Sequence, residues 1–136
     1  MRCRLVAAVY NPLEDLEMID DFVQEANERL ELVADHAMAA EEGDQEAWDA
    51  LRREIHTLKG AAGFVGLDSF SELCHELEDF LIRAEGRQWD AAFDLVHESC
   101  ELLRDLVATV EACAHAGKPM QSEPRATVLS NRLRTG

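Results

Sequence analysis

The stretch HTLKGAAGFVGL, residues 56 to 67, places a histidine, a lysine three positions on, and glycines at Gly60, Gly63 and Gly66 in one helix-forming run. With an ordinary pKa of about 6.5, much of a histidine is neutral near pH 7, and a neutral imidazole is a nucleophile. On a helix, Arg52 and Lys59, and less directly Arg53, fall within one turn of His56. Such a cationic patch attracts an anion carried by a partner, or stabilises one attached to the ring, through charge-assisted hydrogen bonds. Each glycine inside a helix costs on the order of 1 kcal/mol relative to alanine. Lacking Cβ atoms, Gly60 and Gly63 would leave the surface beside His56 flat, so that a partner's active site can close over the ring. Close packing of a neighbouring helix is the other use of a helix glycine, and it suits Gly66 and Gly63.

The elements that position these residues follow from the apolar spacing. A 3-4 stripe runs through Leu16, Ile19, Val23, Ala26, Leu30, Val33 and Ala37 and stops near Gly43. A second, Trp48, Leu51, Ile55, Leu58, Ala62 and Val65, begins after an Asp44 cap and ends at Gly66. A third, Phe70, Leu73, Leu77, Phe80 and Ala84, has Ser69 and Glu72 placed as a capping box and ends at Gly86. The fourth, Phe93, Val96, Cys100, Leu103, Val107 and Val110, is closed by Gly117 and Pro119. Short loops between such helices make neighbours antiparallel, which predicts an all-α, up-down-up-down four-helix bundle. The second stripe puts His56 roughly 140° from its centre, on the solvent side. The expected organisation is an N-terminal extension over 1–13, the bundle over 14–117, and a linker or tail over 118–136 with room for a short helix at Ala126 to Leu133.

Acidic residues outnumber lysine and arginine 28 to 13, a net charge of −15, which argues against nucleic acid or an anionic membrane as partner. Between Asn11 and Glu46 the only lysine or arginine is Arg29, so the first helix should carry a solvated acidic face. Cys3, Cys74, Cys100 and Cys113 lack metal or redox spacing and read as reduced thiols, which favours a cytoplasmic setting. The apolar run Leu5 to Tyr10 is too short for a signal peptide.

HTLKGAAGFVGL resembles the H-x-L-K-G-x(5)-G signature of histidine-phosphotransfer (Hpt) domains, most of all the domain at the N-terminus of CheA-type chemotaxis kinases. The resemblance runs from about Phe22 through Arg83 and more loosely to His115. Domains of that type also carry a histidine and a glutamate 19 and 22 positions after the first histidine; here these are His75 and Glu78, in CHELEDFL. Both lie off the third apolar stripe, where they can face the second helix. The resemblance implies that His56 is the phosphoacceptor and that Glu78 accepts a hydrogen bond from its ring. It further implies that Lys59 contacts phosphoryl oxygens, that Gly60 leaves room for them, and that Thr57 and His75 complete the polar network. Partners would be a histidine kinase catalytic domain and a CheY-like receiver. Arg52, Arg53, Gly63 and Phe64 would form the docking face, although Phe64 off its stripe equally suits packing against a helix.

No G-x-x-x-x-G-K-[ST] loop occurs, so ATP is expected in the kinase partner, with Mg²⁺ in the kinase and receiver and no cofactor in this chain. Glu72 and His75 form an E-x-x-H pair of the di-iron type, but such sites need a second pair and further inward glutamates, so no metal site is expected. A non-catalytic helical adaptor and a stand-alone Hpt protein of a multistep relay are the alternative functions.

Overall fold

The computed structural model describes residues 12–85, 90–118 and 123–136. The N-terminal extension up to residue 11, Cys3, and the expected helix terminators Gly86 and Pro119 lie outside these. The described residues form five helices and no strand: α1 Pro12–Glu41, α2 Gln45–Phe64, α3 Asp68–Ala84, α4 Asp90–Ala116 and α5 Pro124–Thr135. Helix α1 packs against α2 and α4, α2 against α3, and α5 against α3 and α4.

The four stripes turn inward as expected. Leu30, Leu51, Ile55, Leu58, Leu73, Leu77 and Leu103 are fully buried, while Leu16, Val65 and Phe93 lie partly buried at the margin. Each large aliphatic side chain buried in this way contributes about 1.5–3 kcal/mol. Edge-to-face aromatic pairs pin the bundle: Phe22 with Phe70 across α1 and α3, centroids 5.6 Å apart, and Trp48 with Phe93 across α2 and α4, 5.8 Å apart. Phe22, Leu81 and Leu106 are core residues that a single narrow stripe leaves out. Cys74 and Cys100 are buried among them; burial pushes both thiols up, Cys100 to about 12, so each stays protonated and packs as a small apolar group.

Helix α2 starts as predicted, with the Asp44 carboxylate accepting from the Ala47 amide at 3.1 Å. It ends in a left-handed turn at Gly66, where φ is +87°. The Gly66 amide donates to the Gly63 carbonyl at 3.2 Å and the Leu67 amide to the Ala62 carbonyl at 2.8 Å, the paired bonds of a Schellman cap. This turn displaces the expected capping box. Leu67, buried against the core, is the residue before α3 and makes no side-chain cap, so Ser69 and Glu72 already lie inside the helix. The hydrophobic anchor that closes α2 thus fixes the start of α3 two residues early.

The stretch expected as a linker or tail contains α5, longer than the Ala126 to Leu133 segment proposed for it. Ala126, Leu129 and Leu133 are buried in the groove between α3 and α4. The Arg83 guanidinium donates to the Leu133 carbonyl at 2.6 Å and the Arg134 carbonyl at 3.3 Å, satisfying carbonyls at the α5 C-terminus. Ion pairs of Arg134 with Glu76 (2.9 Å), Arg125 with Asp105 (3.1 Å) and Arg132 with Glu98 flank the buried row. No helix among the described residues is long and apolar enough to cross a membrane.

Candidate functional site

Helices α2 and α3 meet at one polar contact beside the apolar interface. His56, on α2, is 65% exposed, and its Nδ1 lies 2.8 Å from Glu78 Oε2 on α3. The other carboxylate oxygen, Oε1, accepts from Lys59 Nζ at 2.6 Å. An ionised carboxylate can only accept, so the proton of a neutral His56 ring resides on Nδ1 and the Nε2 lone pair remains free. The imidazole is thereby oriented, fixed in tautomer and open to solvent on its nucleophilic side.

Burial of Glu78, whose side chain is 17% exposed, pushes its carboxyl up, but hydrogen bonds from Lys59 and then His56, with their charges, outweigh this and hold it below the usual range. Glu78 is therefore an anion through the physiological range. The Lys59 ammonium neutralises much of that charge, so the histidine faces a carboxylate that is paired rather than bare.

The other candidates fall into place around this core with differing roles. Lys59, expected on phosphoryl oxygens, is engaged by Glu78. Thr57 turns its hydroxyl back to the Arg53 carbonyl at 3.0 Å, a bond within its own helix. His75 is exposed and pairs with Asp79 on α3, Nε2 to Oδ2 3.4 Å, away from the His56 contact. It lines instead a shallow depression with Lys59, Gly60 and Ser71. An open groove of about 470 Å³ flanks His56 on the other side, lined by Asp49, Arg52, Arg53, Thr57 and Glu78. Arg52 is tethered to Glu85, the C-cap residue of α3, at 3.1 Å. A Cβ on Gly60 would meet nothing within 4 Å, which is open surface next to the ring. Phe64 is 83% exposed, so of its two expected uses the structure shows the surface one.

Sequence reasoning missed Ser71, whose hydroxyl bonds the Lys59 carbonyl at 3.1 Å; its only signal was its place seven residues before Glu78. Glu72 is exposed and joins no cluster of metal-ligand type. Among the described residues that geometry occurs at Asp20, Glu111 and His115, whose ligand atoms lie within 4.8 Å of one another at the far ends of α1 and α4.

The family model of the Hpt domain matches residues 17–126. The chain belongs to the Hpt-domain family. Curated relatives agree with this. The sensor histidine kinase CheAY of Helicobacter pylori is 33% identical over 72% of this chain and 13% of its own length. The gliding motility regulatory protein of Myxococcus xanthus is 36% identical over 61% of this chain and 11% of its own. The chemotaxis protein CheA of Treponema pallidum is 31% identical over 67% and 12%. This Hpt domain thus spans about an eighth of the length of these relatives. In fold it is similar to the phosphorylated P1 domain of CheA3 in complex with CheY6 from R. sphaeroides, with a TM-score of 0.71 and 18% identity over 88% of this chain and 94% of that one.

Proposed function

We propose that this Hpt domain is a phosphocarrier of a cytoplasmic, chemotaxis-type two-component pathway. The observation that carries the reading is the 2.8 Å contact between Glu78 and His56 Nδ1, which leaves Nε2 as the nucleophile. In the first transfer the Nε2 lone pair attacks the γ-phosphorus of ATP held by a histidine kinase catalytic domain, in the same or another polypeptide, and the bond to the ADP oxygen breaks. The ring, phosphorylated on Nε2 and still protonated on Nδ1, gains a positive charge that the Glu78 carboxylate stabilises. In the second transfer a receiver aspartate attacks the same phosphorus, the P–N bond breaks, and neutral imidazole leaves with its Nδ1 proton unmoved. No general base is needed in either step, which fits a site that supplies only positioning and charge.

ATP and Mg²⁺ belong to the partners in this scheme. The docking face is the exposed strip of α2 from Arg52 and Arg53 past His56 to Gly60, Gly63 and Phe64. That the similar P1 domain is phosphorylated and complexed with CheY6 supports a receiver of the CheY kind.

Incubation with a chemotaxis-type kinase catalytic domain and labelled ATP is expected to give an acid-labile label that maps to His56 and chases to an added receiver. Absence of label with cognate kinases would overturn the proposal. Gly60 offers an independent check. As an exposed mid-helix glycine, Gly60→Ala should raise the stability of the isolated domain by about 0.5–1 kcal/mol in urea unfolding. The same variant should slow labelling by the kinase, because the new methyl stands where a partner closes over the ring. Unchanged labelling would remove the steric role given to Gly60.

A further inference from the structure

Three side chains, Ser71 and Glu78 of α3 and Glu85 at its C-cap, recur at intervals of seven and all meet α2. Seven residues bring a helix back to within about 20° of the same line, so these form one polar seam. Along it the Ser71 hydroxyl donates to the Lys59 carbonyl at 3.1 Å, Glu78 accepts from Lys59 Nζ at 2.6 Å and contacts His56 at 2.8 Å, and Glu85 pairs with Arg52 at 3.1 Å. Two of these are ion pairs between long, flexible arms, which can be kept while the helices slide by a fraction of a turn. Ser71 differs, because its one-carbon arm grips a backbone atom and permits a single axial register. Lys59 is held at both ends, its carbonyl by Ser71 and its ammonium by Glu78. Gly63 faces the hydroxyl: a Cβ there would sit in ordinary contact, 3.6 Å from Ser71 Oγ, so only a side chain larger than alanine would crowd it.

We infer that Ser71 is a positioning residue for the proposed transfer, fixing the α2–α3 register in which Glu78 holds the proton on His56 Nδ1. The inference rests on the phosphocarrier reading for its consequence in rate, and on geometry alone for its consequence at the ring. It is tested on the whole domain by ¹⁵N NMR of the His56 ring, which reports the tautomer without any partner, and by the initial rate of kinase labelling. Ser71→Ala is expected to raise the share of the Nε2–H tautomer and to slow labelling about fivefold, the size of one neutral hydrogen bond. Ser71→Thr, which keeps the hydroxyl, should restore both. Gly63→Val, which crowds the hydroxyl from the α2 side, should shift the tautomer in the direction of Ser71→Ala.

A Ser71→Ala domain with the wild-type tautomer and a rate within about twofold of wild type would overturn the inference, since a merely stabilising hydroxyl leaves both unchanged when the protein is folded. So would Ser71→Thr behaving like Ser71→Ala. A wild-type domain that takes no label while its tautomer still responds to Ser71→Ala would instead overturn the phosphocarrier reading and support the positioning role.

Discussion

His56→Gln is expected to leave the domain with no acid-labile phosphate, and Glu78→Gln to slow kinase labelling by about ten- to a hundredfold, the equivalent of a charge-assisted hydrogen bond worth ~1.5–3 kcal/mol. The two effects differ in kind. The first removes the nucleophile, whereas the second keeps it and releases its orientation, tautomer and the counter-charge that stabilises the phosphorylated ring. An amide at position 78 can offer His56 either an acceptor or a donor, and it leaves the Lys59 ammonium without an anion. Initial rates and ¹⁵N ring shifts measured on the same samples check this; Glu78→Gln at the wild-type rate would remove Glu78 from the mechanism. Acid provides a further measurement. The Glu78 carboxyl is held below its ordinary range once folded, burial being outweighed by the bonds from Lys59 and His56. Its contribution to stability is therefore fully present above the unfolded value of about 4.3 and is lost as pH falls through the depressed folded value. Urea midpoints of wild type and Glu78→Gln should differ at neutral pH and converge in acid. A gap that stays constant would show that Glu78 is not ionically coupled to its neighbours.

The parts of this arrangement that follow from periodicity were legible in the sequence, and those that depend on which atom reaches which were not. The rotation of α2 placed His56 in solvent, and the structure leaves it 65% exposed. Resemblance paired His56 with Glu78, and the structure brings them into contact. Lys59 shows where pattern runs out. Its angular position beside His56 fits an anion on the ring equally well as a carboxylate on α3, and only the α2–α3 distance decides for Glu78. His75 lies three residues before Glu78 and only about 60° round the helix from it, beside Lys59 and Gly60 of α2, yet its exposed ring pairs with Asp79 of its own helix. The capping box failed because Leu67 joins the core and drags the helix start with it, a tertiary contact that local preference does not contain. Helix α5 was only half visible for a related reason. Ala126, Leu129 and Leu133 are spaced like a buried row, but they sit among prolines and arginines whose partners, Asp105, Glu98 and Glu76, are remote in sequence.

Burial of Ala126, Leu129 and Leu133 makes α5 part of the folding unit, so Leu133→Ala is expected to cost the isolated domain about 2–4 kcal/mol, in the range for a fully buried leucine. Leu133 has no exposed surface, and its carbonyl is the one that Arg83 holds at 2.6 Å. The truncation therefore leaves a cavity between α3 and α4 at the point where the C-terminus of α5 is fastened. For a domain of this size such a loss lowers the melting temperature by roughly 10 °C or more. Val128→Ala, on the exposed side of the same helix, should cost a few tenths of a kcal/mol at most and so separates docking from helix propensity. The surface ion pairs around the row are worth little individually in water, so raising the salt concentration should change the Leu133→Ala effect only slightly. A melting temperature near that of wild type would mean that α5 rests on the bundle without stabilising it. Helix α3 offers Glu78 to α2 and Glu76 and Arg83 to α5, on different sides. Kinase labelling of His56 measured well below the melting transition should accordingly survive Leu133→Ala within about twofold, as expected for distant and independent sites. A much larger loss of labelling in the folded variant would instead show that α5 acts through α3 on the Glu78–His56 contact.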